Sequence, residues 1–303
     1  MKRRTALKQL AGLGAIGLRF SHPLNFNDTI KTRIIPASGE ELPMVGLGTW
    51  RTFDVGSSEA ERAPLVNVLK TLTGQGGSVV DSSPMYGRSE GVVGDLASQL
   101  GIVSKLFMST KVWTSGKQAG IEQMETSMRR MKKSRMDLMQ IHNLVDWQTH
   151  MQTLRDWREQ GKIRYIGITH YMESAYDNME RIMKNYPIDF IQLNYSIISR
   201  TAEKSILPLA KDSGIAVLIN RPYEGGSLFA KIKGKTLPEW AGDFDCQSWG
   251  QFFLKFILSN HAVTCVIPGT SKPHHMADNL GAGMGILPNQ VMREKMTGYV
   301  ENL

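Results

Sequence analysis

The chain reads as an α/β protein folded into a single-domain (β/α)8 TIM barrel, because eight short apolar runs alternate with helical patterns and no break in composition separates them. Three of those runs, SVVD (78–81), LFMSTK (106–111) and MDLMQIH (136–142), carry an ionisable residue at or near the C-terminal end: Asp81, Lys111 and His142. Tyr86 follows Asp81 across a Ser-Ser-Pro loop. In a barrel of parallel strands those ends converge on one mouth, so four chemically versatile side chains are delivered to one place. At 303 residues the chain has room for a barrel of about 250 plus short additions.

TRIIPASGEELPMVGLGTW (32–50) begins as a hairpin around a Ser-Gly turn that closes the bottom of the barrel, then becomes strand one at about 44–48. EAERAPLVNVLKTL has apolar residues at near-helical spacing and forms the first helix. Strand two is 78–81, followed by the helix SEGVVGDLASQLG. Strand three is 106–111, with IEQMETSMRRM as its helix. Strand four is 136–141, followed by WQTHMQTLRDWREQG, whose terminal Gly161 suits a helix end. Strand five (164–168) leads to a helix at 173–184, and strand six (189–194) to one at about 203–212. Strand seven is IAVLIN (215–220), then a long loop and the helix SWGQFFLKFILS. Strand eight is VTCVI (263–267), with a helix from about 273, and LPNQVMREKMTGYVENL adds a last helix near the C-terminus. With no long tail after that helix, a comparatively open pocket is expected.

The net charge of +8 does not indicate nucleic-acid binding. Lys2, Arg3, Arg4, Lys8 and Arg19 all precede the first acid, Asp28, and the remaining basic residues are interleaved with acids along helices. MKRRTALKQLAGLGAIGLRF, with paired arginines before a short apolar run, resembles a bacterial twin-arginine export signal. Residues 1–25 are therefore expected to be signal and linker, and 33–303 the barrel. The resemblance implies the twin-arginine export machinery as a partner and a periplasmic location, with an uncleaved, membrane-associated form as the variant. GLGAIG (12–17) matches a dinucleotide fingerprint letter for letter, but no strand precedes it, so it is rejected. Cys246 and Cys265 suggest neither a disulfide framework nor a metal cluster, and no metal site is expected.

Seven segments occur in order along the chain: GLGTW (46–50), Asp81 with the SSPMYGRSE that follows it (82–90), STKVW (109–113), QIHN (140–143), IRYIGITH (163–170), DFIQLNYS (189–196) and IPGTSKPHHMADNL (267–280). Together they resemble the aldo-keto reductases. That resemblance implies a catalytic tetrad of Asp81, Tyr86, Lys111 and His142, and hydride transfer between a nicotinamide cofactor and a small-molecule carbonyl or alcohol. Tyr86 would donate the proton. A phenol's ordinary pKa near 10 is expected to be pulled down by Lys111, which Asp81 would hold, while His142 orients the carbonyl oxygen. Trp50 and Trp113, with Trp147, would line the substrate pocket.

The cofactor residues implied in the same way are Thr49, Thr169, His170, Gln192, Asn220, Arg221, Gly269, Thr270, Ser271, Lys272, His275, Asp278 and Asn279. Thr169, His170 and Gln192 would grip the nicotinamide carboxamide, and the helix start after Gly269 would take phosphate. His170 stands where the family commonly has Asn, Asn220 where it usually has an aromatic that stacks on the nicotinamide, and His275 where NADP-preferring members often have Arg. NADP is the expected cofactor, with NAD as the alternative. A monomer is favoured. The runner-up function is a cofactor-binding regulatory or redox-sensing subunit with slow turnover.

Overall fold

The structure, a computed structural model, describes residues 29–303. The paired arginines, the apolar run after them and the rejected GLGAIG lie outside the described residues. The first element is the antiparallel hairpin β1 (Thr32–Ile34) and β2 (Glu41–Pro43), with Thr32 opposite Pro43. Eight strands follow in parallel: β3 (Leu47–Gly48), β4 (Val79–Asp81), β5 (Phe107–Val112), β6 (Met136–His142), β7 (Ile163–His170), β8 (Phe190–Asn194), β9 (Ala216–Asn220) and β10 (Cys265–Val266). Each pairs with the next in sequence. Bridges from Val45 to Val266 and from Gly48 to Gly269 bring the last strand back to the first and close the ring. The seam needs glycine, since a Cβ on Gly48 would sit 2.7 Å from the Ile267 carbonyl oxygen.

The helices outside the barrel are α1 (Glu59–Gly74), α2 (Ser89–Gln99), α3 (Lys117–Arg130), α4 (Trp147–Glu159), α5 (Tyr176–Asn185), α6 (Ile206–Asp212), α7 (Ser227–Lys231), α8 (Trp249–Leu258), α9 (Pro273–Gly281) and α10 (Gln290–Glu301). Gly161, just past α4, takes the left-handed φ of 71° that the sequence suggests for that helix end. The helix expected from about 203 is instead a 3-10 turn at Thr201–Glu203 followed by α6. Pro208 explains the delay. It has no N–H for the carbonyl four residues back, so it is tolerated only in the first turn. The helix after β7 likewise opens with a 3-10 turn, Glu173–Ala175, before α5.

Side-chain alternation along the strands builds two layers inside the barrel. The lower layer is apolar: Val79, Phe107, Leu138, Tyr165, Phe190, Ala216, Leu218, Cys265 and Ile267 pack together, and Ile35 and Leu42 of the hairpin region seal them from below. Two residues further along the strands, in the same phase, come Asp81, Ser109, Gln140 and Gln192, all buried. The barrel is therefore greasy at its base and polar beneath its mouth. The out-facing residues of the same strands, such as Val80, Met108, Met139 and Ile141, join the larger core under the helices. Cys246 and Cys265 are buried free thiols.

Candidate active site

Asp81 is the centre of the polar layer. Its Oδ2 accepts from the Lys111 ammonium at 2.6 Å, with both side chains buried. Its Oδ1 accepts from Ser109 Oγ at 2.8 Å, Gln192 Nε2 at 2.9 Å and Gln140 Nε2 at 3.2 Å. Lys111 Nζ also donates to the Ser82 carbonyl at 2.7 Å. A buried carboxylate with this many donors is pinned, and so holds the ammonium in place. Burial opposes the Lys111 charge, but Asp81 and Tyr86 together outweigh it and keep the ammonium above its ordinary range.

The Lys111 ammonium lies 5.1 Å from the centre of the Tyr86 ring. The expectation that Lys111 lowers the phenol's pKa is met in sign but not in outcome. Burial is the larger influence and pushes Tyr86 above its ordinary value, with Lys111 pulling the other way and Asp81 reinforcing the rise. The phenol is thus protonated at neutral pH. The His142 ring stands edge-on to Tyr86, with centroids 6.0 Å apart, and its Nδ1 is 3.0 Å from Ser83 Oγ. Burial first, then Lys111 and His170, push the imidazole down to about 3, so it is neutral. Trp113 lies 6.3 Å from His142, centroid to centroid. Trp50 is 45 % exposed, with the Arg51 guanidinium 4.4 Å from its ring. Both tryptophans belong to loops that leave the strand ends. Trp147 instead packs edge-on against Tyr186 at 4.9 Å, on the helical layer.

Among the residues expected to meet a cofactor, several are already engaged within the protein. Thr49 is buried, its hydroxyl bonded to the Asp81 carbonyl and to Ser82 Oγ, both at 3.0 Å. Gln192 gives its amide nitrogen to Asp81 and takes the Thr169 hydroxyl on Oε1 at 3.2 Å and Asn220 Nδ2 at 3.4 Å. His170 accepts from the Met172 amide at 3.1 Å and stacks on Tyr171. Arg221, at a left-handed φ of 49°, lays its guanidinium 5.6 Å from the Tyr171 ring centre. Asn279 Oδ1 accepts from Tyr223 at 2.6 Å, and Asp278 accepts from Ser248 and Gln251 at 2.7 and 2.9 Å. Thr270 Oγ1 accepts from the Lys272 amide, and Lys272 stands at the N-cap of α9 without a capping side chain, ahead of Pro273. Gly269 and His275 are exposed and Ser271 half-exposed, on the same approach to that helix.

Ser82, Ser83, Ser109, Gln140 and Tyr223 are parts of the site that the sequence reading does not single out. For two of them a signal exists. Ser109 lies two residues before Lys111, and Gln140 two before His142, so period-two alternation puts both inside with the tetrad. Gly167, opposite Gln140 in register, makes room for it, since a Cβ there would come within 2.9 Å of Gln140 Cγ.

Known proteins carry the same arrangement of chain. Aldo-keto reductase YhdN of Bacillus subtilis is 26 % identical over 213 residues, 65 % of this chain, and the matched stretch spans 63 % of YhdN. Methylglyoxal reductase YeaE of Escherichia coli is 26 % identical over 259 residues, covering 82 % of this chain and 89 % of that protein. The structure of an aldo/keto reductase from Klebsiella pneumoniae in complex with NADP and acetate superposes with a TM-score of 0.74 at 21 % identity, covering 89 % of this chain and 96 % of the other. A sequence profile of the aldo/keto reductase family matches residues 44–294, and with that span the chain belongs to the aldo/keto reductase family.

Proposed function

We propose that this barrel is an NADP(H)-dependent oxidoreductase that reduces an aldehyde or ketone to an alcohol, or runs the reverse reaction, with Tyr86 as the proton donor. The observation that carries the reading is the buried Asp81–Lys111 pair at 2.6 Å with its ammonium against the Tyr86 phenol. A bound nicotinamide supplies the hydride. The chain's own residues manage the proton and the charge. As the carbonyl oxygen becomes negative, the phenol gives up its proton, and the adjacent ammonium stabilises the phenolate left behind. His142 is neutral, and in the tautomer whose Nδ1 accepts from Ser83 its Nε2 carries a hydrogen that can orient the carbonyl oxygen. Trp50 and Trp113 border the entrance.

The residues present fit a nicotinamide dinucleotide. Asn220 Oδ1, at the end of β9, is buried without a partner and so offers an unused acceptor. The N-terminus of α9, with Lys272 at its cap, suits a phosphate. NADP is favoured over NAD by Ser271, Lys272 and His275 on that approach and by the NADP complex of the Klebsiella relative. The direct test is Tyr86→Phe, which removes only the proton-delivering hydroxyl. Turnover with a carbonyl panel should fall by at least about 10²-fold while NADPH affinity stays near wild type. Turnover at the wild-type rate would show that Tyr86 is not the donor. The same reading includes export: it rests on Arg3 and Arg4 ahead of an apolar run, with the folded, cofactor-loaded barrel crossing to the periplasm.

A further inference from the structure

The carboxylate of Asp81 fixes the orientation of two amides beyond it. A carboxylate only accepts, so the Gln192 side chain must face it with its NH2, at 2.9 Å. The Gln192 carbonyl then points away and accepts from the Thr169 hydroxyl and from Asn220 Nδ2. Because Asn220 uses its nitrogen on Gln192, its own carbonyl oxygen is the loose end of the chain. That oxygen is buried, and among the described residues nothing donates to it. A buried amide oxygen left unpaired is destabilising, so a donor at this point would be bound with a gain.

We propose that Asn220 accepts a hydrogen bond from the carboxamide N–H of the nicotinamide, taking a role that Gln192, engaged at both ends within the protein, is not free to take. The inference rests on the cofactor reading above and deepens it. Asn220 ends β9 inside the mouth, two residues beyond Leu218 in the barrel-facing phase and beside Asn194 in register. No aromatic ring stands at position 220 to stack on the cofactor, so a polar contact replaces a stacking one. The chain Asn220–Gln192–Asp81–Lys111 then joins the cofactor amide to the ammonium behind Tyr86 through side-chain hydrogen bonds.

The test compares NADP+ with its 3-acetylpyridine analogue, in which a methyl ketone replaces the carboxamide and no N–H remains to donate. Affinities for both are measured by calorimetry on the wild type, Asn220→Leu and Asn220→Ala. The wild type should prefer NADP+ by roughly tenfold, the scale of one hydrogen bond to an otherwise unpaired buried acceptor. In both variants that preference should shrink to within about twofold, while the analogue's affinity changes much less. The alanine variant keeps the test open if leucine disturbs folding. An equal preference in wild type and variants, or none in the wild type, overturns the assignment to Asn220 and leaves the cofactor reading intact. Failure of the wild type to bind either dinucleotide overturns both.

Discussion

Breaking the Asp81–Lys111 pair from each side, and then from both, tests the centre of the site. At 2.6 Å and an effective dielectric near 20 the attraction is about 6 kcal/mol. Desolvating two ions opposes it by several kcal/mol each, which the Ser109, Gln140, Gln192 and Ser82 hydrogen bonds help to offset. Asp81→Leu leaves a fully buried ammonium with only the Ser82 carbonyl, and Lys111→Met leaves a buried carboxylate with neutral donors. Each single variant should lose about 3–5 kcal/mol in urea unfolding, whereas the double variant should be markedly less destabilised than the sum of the two. Turnover should collapse in all three, because Lys111→Met and the double variant remove the counter-charge of the Tyr86 phenolate and Asp81→Leu no longer holds the ammonium in position. Additive effects on stability, with a coupling below about 0.5 kcal/mol, would refute the pairing energetics. A Lys111→Met enzyme with wild-type kcat would refute its part in the chemistry.

His142 makes stability depend on pH in a defined window. Its imidazole is held down to about 3, so as pH falls below about 6.5 the unfolded chain takes up the proton first, and stability from this group is lost progressively towards pH 3. His142→Asn should flatten that slope in urea midpoints, and an unchanged slope would show that the imidazole is not held neutral. Direct titration should give tighter binding of NADPH than NADH; equal or tighter binding of NADH would end the assignment of Ser271, Lys272 and His275 to a 2′-phosphate. Arg3→Lys combined with Arg4→Lys should keep the protein in the cytoplasm, and protein recovered from the periplasm of wild-type cells should retain dinucleotide through gel filtration. Undiminished export of the double variant would remove the signal assignment.

The barrel and the place of its tetrad were legible in the sequence for local reasons. Strand length, period-two alternation and helical spacing act over a few residues, so they mark where Asp81, Lys111 and His142 sit on strand ends and which way they point. The same alternation reaches Ser109 and Gln140, the first residues of STKVW and QIHN, to which the sequence reading gives no role. Other features depend on residues far apart in the chain. The seam at Gly48 and Gly269 needs the first and last strands together. Whether burial or Lys111 governs the Tyr86 phenol depends on how much water the assembled mouth excludes, which no short stretch encodes. The orientation of Gln192 and the unpaired oxygen of Asn220 follow from an aspartate more than a hundred residues away, 111 in the case of Gln192. Sequence by itself determined the strands, their facing residues and the four ionisable groups at one mouth, because those follow from neighbours along the chain. Tertiary structure alone decided which of those groups are charged, which donors are spent and which acceptor is left over, because charge and hydrogen bonding in a buried site are set by what is packed across the barrel.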